Sequence, residues 1–172
     1  MKRIINYIVH DLLFSIFMGI TSILPNNNYS TKIRGFIVKP LFKKCGKNFR
    51  IAPGVRILKI ENISIGNDVY IAHNVWINAV GKLNLEDEVI ISPNCVIDTS
   101  KHVYENRKIT NKSYFEKINI GKGTWIAANT TIKYGIQIGN GCIVSANSCV
   151  TKSFGDYLMI GGVPAKLIKE LR

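Results

Sequence analysis

Histidine is scarce in this chain. Its 172 residues include three: His10, His73 and His102. Cysteine is little commoner: Cys45, Cys95, Cys142 and Cys149 show no CxxC spacing. A structural or catalytic zinc needs three or four His, Cys or carboxylate ligands at recognisable spacings. No such set is spelled out, so no metal is expected. The cysteines read as reduced core thiols of a cytoplasmic chain. Acidic residues are few, 11 against 23 Lys and Arg, and the net charge of +12 favours anionic partners. The basic residues are dispersed, and no helix-turn-helix, zinc-finger or RNP-type motif accompanies them, so nucleic acid is not expected. A long unbroken apolar run is also missing. Residues 4–24, IINYIVHDLLFSIFMGITSIL, are interrupted by Asn6, His10 and Asp11. What remains is too short to cross a bilayer. No small-residue cleavage site follows, so a signal peptide is not expected.

What is abundant is repetition. Residues 118–151, INIGKGTWIAANTTIKYGIQIGNGCIVSANSCVT, divide into sixes from Ile120. An aliphatic residue opens each block at Ile120, Ile126, Ile132, Ile138, Val144 and Val150, and a small residue usually follows it. A helix wants apolar residues three and four apart, and an isolated strand wants them two apart. A period of six fits neither. It fits a triangular coil in which each block supplies one short parallel strand and a corner, its aliphatic residue pointing to the axis. Stacked coils then bury one another's faces.

The same sixes run earlier. Three-block coils begin at residues 45, 65 and 85, with two-residue extensions Ile63-Ser64 and Leu83-Asn84 between them. With the starts at 120 and 138, this predicts a mainly β chain: a left-handed parallel β-helix of about five coils, closed by a short C-terminal helix. Residues 101–119, KHVYENRKITNKSYFEKIN, break the period as an inserted loop, and such insertions often carry the binding face. Residues 1–44 form a separate N-terminal helical or extended segment, and 45–172 the β-helix domain. The apolar stripe of residues 4–24 has helical spacing, and Pro25 with Asn26, Asn27 and Asn28 ends it. Two uses are open for this amphipathic segment. It packs on the β-helix or a neighbouring subunit, or it lies peripherally on a membrane, helped by Lys2, Arg3, Lys32, Arg34, Lys39, Lys43 and Lys44.

The block LEDEVIISPNCVIDTSKH, the loop after it, then IGKGTWIAANTTI, SANSCVTK and the terminal GGVPAKLIKEL together resemble the hexapeptide-repeat acetyltransferases. That family includes galactoside and maltose acetyltransferases and the enzymes that O-acetylate capsular, O-antigen and exopolysaccharide sugars. The likeness covers about residues 45–172. It implies acetyl-CoA as co-substrate and His102, at the place of the family's loop histidine, as general base. Trp125 would line the acetyl-CoA groove, and Ala127 and Ala128 would turn backbone N–H groups toward the thioester or pantetheine arm. Ala146, Thr151 and Lys152 would hold the pantetheine and nucleotide end. Gly162, Val163, Pro164 and Ala165 would form the turn that closes over it. Lys152, Lys166 and Lys169 offer cations to its phosphates, although Lys166 and Lys169 also read as a solvated basic terminus. The resemblance further implies a homotrimer with active sites between subunits.

The chemistry is consistent with one histidine. An acetyl thioester is already activated, so neither a metal nor an acyl-enzyme is required. A sugar hydroxyl is a weak nucleophile, and an imidazole can take its proton as attack proceeds. Asp98 and Glu105 are the candidates for orienting that imidazole. The acceptor side departs from the galactoside and maltose enzymes. Their sugar-holding Asn and Asp places fall here on Ala72 and about Val80. His73, Asn74, Trp76 and Asn78 lie nearby as substrate-binding candidates. A sugar unit of a bacterial surface polysaccharide, or its precursor, is therefore the expected acceptor. The alternatives are N-acetylation of an amino sugar or acetylation of a xenobiotic. A γ-type carbonic anhydrase lacks its third histidine here, and a non-catalytic β-helix leaves His102, Trp125 and GGVPAK without a use.

Overall fold

The structure, a computed structural model, describes residues 2–171, and the side chains of residues 2–8 lie outside that description. The expected contributions of Lys2 and Arg3, and of the apolar residues before Val9, therefore lie outside the described side chains.

From residue 44 onward the chain winds as a parallel solenoid with three faces. The first face stacks Lys44–Cys45, Ile63–Ile65, Leu83–Leu85, Ile118–Ile120 and Gln137–Ile138. The second stacks Arg50–Ile51, Tyr70–Ile71, Ile90–Ile91, Trp125–Ile126, Ile143–Val144 and Leu158–Gly161. The third stacks Arg56–Leu58, Trp76–Asn78, Val96–Asp98, Thr131–Ile132 and Cys149–Val150. Five turns are complete and a sixth has begun, in keeping with the left-handed β-helix expected from the sixes. Register follows the repeat arithmetic: Ile57 lies beside Ile77 and Ile77 beside Ile97, then Ile97 beside Ile132 across the insertion, then Ile132 beside Val150.

The block-opening aliphatics fill the axis. Ile71, Ile91, Ile126 and Val144 are fully buried in one column, and Ile77, Ile97, Ile132 and Val150 in another. Each such side chain contributes about 1.5–3 kcal/mol by leaving water. Corner positions also point inward. Polar ones there are satisfied: Thr124 Oγ1 donates to the Gly139 carbonyl at 2.7 Å and Thr130 Oγ1 to that of Ser145 at 3.2 Å.

The fourth place of each block explains why the chain can turn so often. Asn48, Asp68, Glu88, Gly123 and Gly141 all have positive φ at one edge, and Gly54, Asn74, Asn94, Asn129 and Asn147 at the next. This left-handed conformation is costly for most residues and easiest for Gly, Asn and Asp.

Two helices cap the first turn. Helix α1 spans Lys2–Thr21 and α2 spans Asn28–Val38, with Asn27 as N-cap accepting from the Ser30 N–H at 2.9 Å. Phe14, Met18 and Val38 join the same core as the coils. Arg34 is fully buried and donates to the Thr21 and Leu24 carbonyls, closing the end of α1. Asp11 reaches from α1 to accept the N–H groups of Lys59 and Ile60.

Two expectations change. The insertion is regular: Ser100–Glu105 and Lys108–Phe115 pair as an antiparallel hairpin. The short C-terminal helix is a strand instead. Lys166–Glu170 folds back antiparallel on Leu158–Gly161, because the edge of the second face offers it unpaired backbone groups.

Candidate active site

The sequence candidates divide between two edges of the prism and the third face between them. His102 stands on the inserted hairpin, which leaves the edge joining the third face to the first. Its hairpin is held from beneath. Val103 is buried, and Lys101 on the same side lies over the Tyr134 ring, 4.7 Å from its centroid, and over Tyr114 at 5.4 Å. The Tyr134 hydroxyl raises the pKa of that lysine, although the group is solvent-exposed. The alternate residues Ser100 and His102 then face the other way, and His102 is exposed. It pairs with Ser113 across the hairpin, and the register shifts just after it.

The hairpin root is a polar knot. Asp98 Oδ1 accepts from Ser100 N at 2.9 Å, Ser100 Oγ at 2.7 Å and Asn78 Nδ2 at 3.1 Å. Asn78 Nδ2 also donates to Ser100 Oγ at 3.0 Å, while its Oδ1 accepts from Val80 N at 3.3 Å. Asp98 is thus committed to the knot, and Glu105 pairs with Lys112 at 3.0 Å. Among the described residues neither hydrogen-bonds to His102. The sequence did not reveal this knot, because its members come from consecutive turns twenty residues apart.

The edge joining the second and third faces gathers another set. Ala127 is buried and Ala128 half-buried. The Ala128 carbonyl accepts from Asn147 N at 3.0 Å, and exposed Ala146 stands one turn above. His73, half-buried, occupies the same edge lower in the stack, where its carbonyl accepts from Asn94 N at 3.0 Å. Trp125 stands exposed on the adjoining second face, its indole N–H donating to Ser92 Oγ at 2.8 Å. The GGVP turn closes on this set. Gly162 N donates to Ser148 Oγ at 3.1 Å, the Gly162 carbonyl accepts from Cys149 N at 3.0 Å, and Ala165 N returns to the Cys149 carbonyl at 2.8 Å. Val163 and Pro164 remain exposed above it, and Lys166 starts the last strand, also exposed.

The remaining candidates are scattered. Thr151 and Lys152 are exposed on the hairpin's edge, above Tyr134, with Lys152 over the Phe154 ring at 5.5 Å. Trp76 is exposed on the third face. Asn74 takes the positive-φ corner place shared with Asn94, Asn129 and Asn147, which accounts for an asparagine there without any ligand. His10 lies in α1 with its Nδ1 buried and without a hydrogen-bond partner. Among the described residues no three His, Cys, Asp or Glu side chains gather as a metal-binding group. One chain therefore carries the His102 hairpin and the Trp125–Ala128 groups on separate sides of the prism.

Residues 117–152 match the model of the bacterial transferase hexapeptide (six repeats). The chain resembles the hexapeptide-repeat acetyltransferases. It is 28% identical over 149 residues to the galactoside O-acetyltransferase of Escherichia coli (strain K12), covering 85% of this chain and 73% of that protein. It is also 28% identical over 137 residues to WcaF of the same organism, provisionally named a colanic acid biosynthesis acetyltransferase, covering 80% and 74%. A hexapeptide-repeat-containing acetyltransferase of Vibrio cholerae O1 biovar eltor, crystallised with acetyl coenzyme A, superposes with a TM-score of 0.83 at 22% identity, covering 95% of this chain and 88% of that one. This kinship supports an acyltransferase, and the solenoid is the family's fold.

Proposed function

We propose that the chain is an acetyl-CoA-dependent O-acetyltransferase acting in the cytoplasm on a sugar hydroxyl of a bacterial surface polysaccharide or its precursor. The observation that carries this reading is His102, exposed on a hairpin that Val103 and Lys101 clamp from beneath and the Asn78–Asp98–Ser100 knot fixes at its root. A general base must be both accessible to substrate and held in place. His102 meets both conditions. Its kinship with colanic acid and galactoside acetyltransferases supports the acetyl donor and the sugar class.

In this reading the acceptor hydroxyl gives its proton to the His102 imidazole as its oxygen attacks the thioester carbonyl. The C–S bond then breaks, and the imidazolium returns the proton to the leaving thiolate. The Ala127 N–H donates to the Val144 carbonyl at 2.9 Å, so the backbone N–H groups of Ala128 and Ala146 would face the thioester and pantetheine arm, with Trp125 lining the groove and the Gly162–Pro164 turn closing it. Thr151, Lys152 and Lys166 would meet the nucleotide end. His73 and Trp76 would hold the acceptor, while the Asn78 amide, expected beside them, is taken up by the knot at the hairpin root. Since His102 and Trp125 lie on separate sides of one prism, a complete site would combine the hairpin of one subunit with the Trp125 face of its neighbour, as a homotrimer provides. Proximity in such a shared groove supplies much of the rate.

The test follows acetyl transfer from radiolabelled acetyl-CoA to a panel of bacterial glycans and nucleotide sugars. Acceptor-dependent transfer that falls by about 10²-fold or more in His102→Ala supports the reading. Transfer only to an amino group would make it an N-acetyltransferase. Absence of acetyl-CoA binding would overturn the donor itself.

A further inference from the structure

The least expected surface lies on the helical cap. Helix α1 buries Phe14 and Met18 against the coils, yet its opposite side is apolar as well. Val9, Leu12, Ile16 and Ile20, spaced three and four apart, are between 42% and 64% exposed, and Ile23 just past the helix is 88% exposed. On α2 the exposed line Tyr29, Ile33 and Phe36 repeats the pattern, with Tyr29 80% and Phe36 79% exposed. Contiguous exposed apolar surface of this kind marks an interaction site, unlike scattered single residues.

Charge selects the occupant. Residues 1–60 contain eleven Lys and Arg and a single acidic residue, Asp11. Its carboxylate is turned inward onto the Lys59 and Ile60 N–H groups. Lys32, Lys43, Lys44 and Lys47 are exposed beside the apolar line of α2 and the first turn. Two such caps meeting face to face would set one basic surface against another. An anionic bilayer offers what the cap lacks: acyl chains for the aliphatic stripes and phosphate headgroups for the lysines. Exposed Tyr and Phe beside Lys are suited to the boundary between the two. No helix among the described residues is long and apolar enough to cross a membrane, so the cap would lie in the interface plane.

We propose that the outward faces of α1 and α2 dock this protein on an anionic lipid surface, with the coils stacked away from it. The contact is separate from acyl transfer and stands or falls without it. It is tested by flotation of the full chain with vesicles of equimolar phosphatidylcholine and phosphatidylglycerol, and with phosphatidylcholine alone. The wild type is expected to float with the anionic vesicles at low salt and to be released by high salt. Ile16→Ser with Ile20→Ser, and separately Lys32→Glu with Lys43→Glu, should each lower the bound-to-free ratio roughly tenfold or more. Should the α1 pair fail to fold, Phe36→Ser on α2 provides the same reading. No flotation with anionic vesicles overturns the proposal, as does flotation indifferent to the serine substitutions. It is equally overturned if light scattering finds the serine variant in a smaller assembly than the wild type, for the stripe would then be buried between copies.

Discussion

Asn78 Nδ2 donates to Asp98 Oδ1 at 3.1 Å, tying the third face of one turn to the root of the hairpin on the next. The same carboxylate oxygen takes both the N–H and the hydroxyl of Ser100, two residues before His102. Asp98→Ala removes all three bonds and frees the angle at which the hairpin leaves the stack. Misplacement of this kind lowers rate without changing the titrating group. Acetyl transfer is expected to drop roughly tenfold, with its pH profile unmoved and partial recovery in Asp98→Asn. His102→Ala should instead cost about 10²-fold or more. A moved profile in Asp98→Ala would mean that the carboxylate touches the imidazole during turnover, contrary to the bonds it makes here.

The fold was unusually legible because its packing is local in register. Each block repeats the same inward aliphatic, so Ile91, Ile126 and Val144 announce one column without any knowledge of the pairing. The fourth-place residues, from Asn74 to Asn147, carried an equally regular turn signal that block counting from the aliphatics alone passes over. The ends were harder to read. KLIKEL has no period of its own long enough to distinguish a helix from a strand, and the free edge of the second face decides it. The hairpin was hidden for a related reason. Its strands rest on Val103 and on Lys101 against Tyr134, contacts made across a turn rather than along the sequence. The candidate site could be named only as a set of residue types, whereas the division of those residues between two edges required the triangular section.

The corner ladder predicts a sharp asymmetry at Asn94, whose φ is 60°. Asn94→Gly should be nearly neutral or slightly stabilising, since glycine adopts this conformation freely. Asn94→Val places a β-branched residue there and should cost about 1–2 kcal/mol. Denaturant unfolding of the two variants would settle it. Equal stabilities would mean that the corner does not need its left-handed residue.

The axial columns predict a position effect within a single turn. Ile97 is fully buried between Ile77 and Ile132, so Ile97→Ala should destabilise by about 2–5 kcal/mol through lost burial and a residual cavity. Ile90 is 40% exposed on the second face, and Ile90→Ala should cost well under half as much. Similar losses in both would contradict the inward and outward assignment of the strands.

Alkaline conditions should expose the buried thiols. Burial pushes the Cys45 thiol up to about 11, with Lys39 opposing it weakly, and burial also raises Cys95 and Cys142. Between an ordinary thiol value near 9 and about 11, the unfolded chain has released protons that the folded chain still holds. The unfolded state then binds fewer protons, and stability must fall as pH rises. The contribution is intact below about pH 9 and is lost progressively toward pH 11. Thermal unfolding across that window should show a smaller decline in Cys45→Ala than in the wild type, since lysine and tyrosine titrations are common to both. Parallel declines would mean that the Cys45 thiol ionises as readily in the folded chain as in the unfolded one.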